Sequence, residues 1–130
     1  MACPDCGGDL VSFPVPADLQ RFLPGDEPGA SVCRSCLALH PETEPPAEAP
    51  DFAALDDSIP EDEAAAVPLL LLIGLLDSLA MHRAEITALL ERVEKAGVDP
   101  LLALDRLDAS YGDEAHVDLG RRRRQLEQLL

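Results

Sequence analysis

Two short stretches of this 130-residue chain, Cys3-Pro4-Asp5-Cys6-Gly7 and Cys33-Arg34-Ser35-Cys36, have residue types and spacing that demand a specific chemistry. Each is a Cys-x-x-Cys pair, and 26 residues separate them, the arrangement in which two tight turns deliver four thiolates to one tetrahedral ion. Cys3, Cys6, Cys33 and Cys36 are therefore the expected metal ligands. Four sulfur donors suit Zn²⁺ or iron, and zinc needs no redox partner, so a structural Zn²⁺ is expected ahead of a rubredoxin-like iron centre. A redox-active dithiol is disfavoured because neither pair opens the helix that accompanies such motifs. His40, four residues beyond Cys36, is expected to be a solvated histidine of a connecting segment rather than a spare ligand.

The first turn has the residues its geometry asks for. Pro4 fixes its own φ, and Gly7, after the second cysteine, is free to take positive φ. Leu37 stands at the equivalent place in the second turn, where glycine is usual, so that turn must be strained or must close differently. Between the pairs, Leu10 to Val15 reads as a short strand that Pro14 and Pro16 mark as an edge. Asp18 to Leu23 reads as one helical turn stopped by Pro24-Gly25. A unit of this size has little core beyond Leu10, Phe13, Leu19, Phe22 and Val32, so the metal must supply much of its folding free energy, of order 10 kcal/mol in comparable peptides.

These elements predict a small α+β protein: an N-terminal zinc ribbon over residues 1–39, an acidic Pro-rich linker over 40–57, and an all-α helical module over 58–130. Residues 40–63 hold nine acidic residues, five prolines and no base, a composition that cannot bury enough apolar surface to fold alone. Extended as a polyproline spacer, the linker can place the ribbon ~50 Å from the helices at about 3.1 Å per residue, with Phe52 and Leu55 as its candidates for local docking on the helical module. Ser58-Ile59-Pro60-Glu61 has the form of a capping box and places a helix start at Ser58. Pro68 would kink that helix or restart it, and from Leu69 a heptad of Leu72, Leu79, Ile86 and Val93 predicts one long helix ending near Ala96, before Gly97. Asp99-Pro100 opens a short helix with Leu101, Leu104 and Leu107 on one face, and Tyr111-Gly112 ends it. A final helix starts near Asp113 or Asp118 and carries Val117, Leu119, Leu126, Leu129 and Leu130, with Arg121 to Arg124 inside it.

Leu69 to Leu76 is apolar almost all round, and two short helices are too little to cover it, so a homodimer or a protein partner on the Leu-rich helix is expected ahead of a compact three-helix arrangement that covers it, with the linker, within one chain. The run Ala64 to Leu76 spans only ~20 Å as a helix, against the ~30 Å of a bilayer core. A buried helix is expected and a membrane span is not. The N-terminus shows no basic-then-apolar leader, and reduced thiols fit a cytoplasmic location.

The net charge of −15 opposes non-specific binding to nucleic acid and to anionic lipid. Blocks 1–39, 40–63 and 64–130 carry −3, −9 and −3. Arg121 to Arg124 spread around roughly 300° of a helix at ~100° per residue and cannot form one basic stripe, so a nucleic-acid role through them or through Arg34 is the lesser expectation. Ser58, Ser78 and Ser110 have no evident histidine partner, His82 and His116 are isolated, and no glycine-rich phosphate loop follows a strand; an enzyme is not expected.

With its Cys-Pro-Asp-Cys-Gly start, second Cys-x-x-Cys pair, acidic Pro-rich linker and Leu-rich tail, the whole chain resembles a family of small haloarchaeal zinc-finger proteins. Its one lysine, Lys95, set against nine arginines and 25 carboxylates, and its four aromatic residues, fit that resemblance. It implies a metal and no catalytic residues. The expected function is a non-enzymatic adaptor or regulator that recognises protein partners.

Overall fold

The structure, a computed structural model, describes residues 2–25 and 27–129. Leu130, expected on the apolar face of the last helix, lies outside the described residues.

Three strands, β1 (Leu10–Pro14), β2 (Gly29–Cys33) and β3 (Leu39–Glu42), form an antiparallel sheet in the order β1-β2-β3. The register pairs Val11 with Val32 and Val32 with Leu39, while Ser31 lies opposite both Ser12 and His40. Alternation therefore directs Val11, Phe13, Ala30, Val32 and Leu39 to one face and Ser12, Ser31, Cys33 and His40 to the other. The first set belongs to or packs on the main apolar core. Both strand prolines, Pro14 and Pro41, fall on edge strands, where their missing N–H leaves no ladder position empty; central β2 has none.

Four helices follow: α1 (Glu63–Leu75), α2 (Arg83–Lys95), α3 (Pro100–Tyr111) and α4 (Leu119–Leu129). The small α+β architecture is thus as expected, but its internal boundaries differ in three respects. First, α1 begins at Glu63, where the Asp62 side chain accepts from the Ala64 amide at 3.0 Å. The Ser58 amide instead donates to Asp56 in a tight turn, and Ile59 is buried, so the capping box does not form.

Second, the long heptad helix is two helices. A 3-10 turn over Leu76–Met81, with Ser78 at φ −124° and ψ 53°, breaks it. Leu72 and Leu76 and the Ile86, Leu89, Leu90 and Val93 set are all buried, because α2 folds back on α1 and the two apolar faces meet. A heptad read through a reversal cannot be told from one read along a rod, since both place leucines every seventh residue toward the partner. Pro68 sits inside α1; the one carbonyl it frees belongs to Ala64, an exposed residue, which leaves it open to water.

Third, the stretch 40–57 is not a detached spacer. Its first three residues are in β3, Pro45 covers Gly29 so closely that a Cβ there would collide with it, and Phe52 is fully buried, edge-on to Phe13 with ring centroids 5.5 Å apart. One continuous core holds Phe13, Val15, Leu19 and Val32 from the sheet side, Phe52 and Ile59 from the connection, and Leu69 to Ile73 from α1. At Gly74 the α1 backbone comes so near Leu39 that an added Cβ would lie 2.7 Å from its side chain.

This enclosure also corrects the argument for a second copy. All nine residues from Ala65 to Ile73 are buried within the single chain, so the apolar surface that called for a partner is covered by the sheet, α2 and the connecting segment. Counted together with the 3-10 turn, Glu63–Met81 has the length and composition of a membrane span, but α1 alone is 13 residues.

If the connection is part of the core, Phe52→Ala should lower the unfolding free energy by ~3–4 kcal/mol, with ribbon and helices still melting in one transition in urea. A loss below about 0.5 kcal/mol would restore the detached spacer.

A candidate metal centre

The two Cys-x-x-Cys turns are built alike. In the first, the Gly7 amide donates to the Cys3 carbonyl at 2.8 Å and the Cys3 amide to that of Gly8 at 2.7 Å; in the second, Leu37 donates to Cys33 at 2.9 Å and Cys33 to Ala38 at 3.0 Å. Each turn needs left-handed backbone after its second cysteine, and both residues there supply it, Gly7 at φ 80° and Leu37 at φ 64°. The second turn therefore closes in the same way as the first, with strain and without rearrangement. Leu37 is 3 % exposed and joins the main core, which holds the side chain where the backbone alone would disfavour it.

The turns face one another. Cys3 Sγ lies 3.9 Å from Cys36 Sγ, Cys6 Sγ lies 3.4 Å from Cys33 Sγ, and all four sulfurs fall within 4.8 Å of one another. Around a tetrahedral ion with metal–sulfur bonds of about 2.3 Å, sulfurs sit ~3.8 Å apart, so the observed pairs bracket the value. A disulfide needs ~2.05 Å, and all four cysteines are free. Cys3, Cys33 and Cys36 are buried and Cys6 is exposed.

Backbone amides point at the sulfurs: Gly8 donates to Cys6 at 3.4 Å and Ser35 to Cys33 at 3.3 Å. Burial pushes the Cys33 thiol up, but the amides of Cys36 and Ser35 and the Cys6 side chain outweigh it and bring the group down to about 7. Burial and the neighbouring thiols push Cys36 up. The four clustered thiols thus divide evenly, Cys3 and Cys33 shifted down and Cys6 and Cys36 shifted up, because neighbouring thiolates of like charge oppose one another's ionisation. A divalent ion removes that conflict, and the donor set fits a metal that accepts four sulfurs.

The residues that fasten this centre to the rest of the protein are not among those the sequence singles out. The His116 amide donates to the Cys36 carbonyl at 2.7 Å. The Tyr111 hydroxyl lies 3.2 Å from the Arg34 carbonyl and 3.4 Å from that of Leu55, and burial pushes its pKa up to about 12, which keeps the O–H a donor. Both contacts are long-range, and nothing in the local pattern of either residue announces them. His40, expected in solvent, lies on β3 with its Nε2 3.6 Å from Cys3 Sγ; its place on the cysteine face follows from strand alternation once Leu39–Glu42 is recognised as a strand.

The arginines of α4 do not present one basic surface. Arg123 pairs with Asp105 and Glu127, Arg122 donates to Gln125 and to the Asp77 carbonyl, and Arg121 and Arg124 are exposed. Arg34 donates to the Ala54 carbonyl at 3.2 Å.

A second concave feature lies away from the cysteines. It is a groove of about 870 Å³ between the end of β1, the connecting segment and the start of α1. Val15, Leu19 and Val67 line it together with Glu48, Glu61 and Glu63, and Arg92 stands at its side, paired with Asp18 at 2.7 Å.

The two glycines of the first turn should respond differently to the same methyl group. A Cβ at Gly7 meets nothing within 4 Å, so Gly7→Ala carries only the left-handed backbone penalty, ~1–2 kcal/mol. A Cβ at Gly8 would lie 2.6 Å from Ser35 Oγ and 2.9 Å from Cys33 Sγ, so Gly8→Ala should push the two turns apart and weaken Co²⁺ uptake at least ~10-fold, about 1.4 kcal/mol. Equal metal affinities in the two variants would show that the turns are not in this contact.

No curated protein and no solved structure matches the chain. A family model matches residues 2–130, essentially the whole length, and the chain belongs to that family, the family of unknown function DUF6276.

Proposed function

We propose that this chain is a zinc-ribbon adaptor or regulatory protein of the cytoplasm, in which a structural Zn²⁺ on Cys3, Cys6, Cys33 and Cys36 holds a protein-recognition surface in place. The observation that carries this reading is the closure of the cysteine cluster. Four sulfurs around one point satisfy a tetrahedral ion and leave no position for water or substrate, whereas metal-assisted hydrolysis requires an open one. The metal's role is then to fix structure, and the protein acts without turnover.

The recognition surface is the groove beside α1. Its apolar floor of Val15, Leu19 and Val67 and its rim of Glu48, Glu61 and Glu63 suit an extended segment of another protein with apolar and basic side chains. Arg92, the one base among the described residues that line the groove, is engaged by Asp18, so the rim keeps its negative sign. The net charge of −15 favours a basic partner and disfavours nucleic acid.

Purified protein should carry one tightly held zinc per chain by elemental analysis, or iron with visible colour if the centre is rubredoxin-like. Uptake should weaken as the pH falls from about 8 to about 6, because protons compete for the thiolates. In a pull-down at the salt of the native cytoplasm, protein should be recovered by the wild type, less by Cys33→Ser, and less by Glu61→Lys with its metal intact. Recovery of nucleic acid, or protein capture indifferent to both substitutions, would refute the adaptor reading.

A further inference from the structure

We propose that Cys3, Asp5 and His40 form a second cation site beside the four-cysteine centre, with Cys3 as a bridging thiolate, and that it takes a borderline divalent transition ion such as Zn²⁺ or Co²⁺. The inference rests on the four-cysteine reading in that Cys3 is shared between the two.

The geometry is that of ligands around one ion. His40 Nε2 lies 3.6 Å from Cys3 Sγ and 3.6 Å from Asp5 Oδ2, and the three ligand atoms fall within 4.8 Å of one another. With bonds of about 2.3 Å to sulfur and about 2.0–2.2 Å to nitrogen and oxygen, a tetrahedral ion separates sulfur from nitrogen by ~3.6 Å and nitrogen from oxygen by ~3.4 Å. A direct N–H···O bond would instead draw His40 and Asp5 to about 2.9 Å. The imidazole groups with Cys3 and Asp5 and not with all four sulfurs, so it is not a fifth ligand of the first ion.

Two independent pieces of backbone bring these residues together. Asp5 is carried by the first turn, between its two cysteines. His40 is carried by β3, opposite Ser31, on the sheet face that also bears Cys33. Charge then favours a second ion: a divalent metal with four thiolates has a net charge of about −2, next to the Asp5 carboxylate on a chain of net charge −15. The set of one sulfur, one imidazole and one carboxylate is that of a borderline metal and not of Mg²⁺ or Ca²⁺.

The His40 and Asp5 side chains are 26 % and 41 % exposed, and three protein ligands leave a fourth position to water. The second ion is therefore held more weakly than the first and exchanges with solvent.

Co²⁺ titration of the metal-free full-length protein, followed by visible absorption and by elemental analysis after gel filtration, separates the sites. Wild type should bind two equivalents, the first tight. His40→Ala and Asp5→Asn should keep the first with its thiolate-to-cobalt absorption and lose the second, or bind it at least ~10-fold more weakly, with unchanged circular dichroism. Cys33→Ser, outside the second site, should remove the tight equivalent, so the two readings fail separately. Saturation of the wild type at one equivalent would overturn the second site and leave His40 a hydrogen-bond donor to Cys3. A second equivalent untouched by both substitutions would overturn it as well.

Discussion

The enclosure of α1 is the constraint on which the rest of the structure depends. Nine consecutive residues, Ala65 to Ile73, are buried, so the helix has no polar stripe to offer solvent and every direction around it must be filled. A chain of 130 residues can do this only by bringing all its parts to the same place. Helix α2 doubles back along one side, β3 approaches at Gly74, and the acidic connection contributes Phe52 and Ile59. What the composition divides into three blocks, the requirement to cover one apolar cylinder reunites.

The cysteine cluster inherits its setting from that arrangement. A free-standing ribbon would depend on its metal for most of its folding free energy. Here the sheet that presents the second turn also packs its other face on the helical core, and the Tyr111 hydroxyl and His116 amide reach the turn from the C-terminal half. The core and the cysteine cluster are therefore coupled: the core pre-positions the thiols, and an ion held on them would fix β2 and the two turns against the helices.

Legibility in the sequence follows the range of the interaction. The spacing within each Cys-x-x-Cys pair, Gly7 and Gly97 at positive φ, and Asp99 capping α3 are set by residues within a few positions of one another, and each is readable. The helix stop at Ser78, the strand at Leu39–Glu42 and the packing of Phe52 against Phe13 of the sheet are not, because each is decided by a distant partner. Pro41 reads as the start of a linker until β3 is known to be an edge strand, where proline removes no hydrogen bond. His40 is misplaced for the same reason, and once the strand is recognised its alternation points it at Cys3. Acidic, proline-rich composition says that residues 40–57 cannot fold alone; it does not say that they stay unfolded beside an apolar helix with uncovered sides.

Leu37 shows how the two halves are coupled at one residue. Left-handed backbone costs a non-glycine residue ~1–2 kcal/mol, and glycine at this position would avoid it. Burying a leucine side chain returns ~1.5–3 kcal/mol, and Leu37 is 3 % exposed in the main core. Burial outweighs strain here, and leucine is the better residue. In the first turn the space beyond Gly7 is open, so no side chain there could offset the strain, and glycine is the better choice. The difference between the turns thus follows from what lies behind each: solvent behind the first, and the helical core behind the second, which uses the cysteine turn itself as one of its walls.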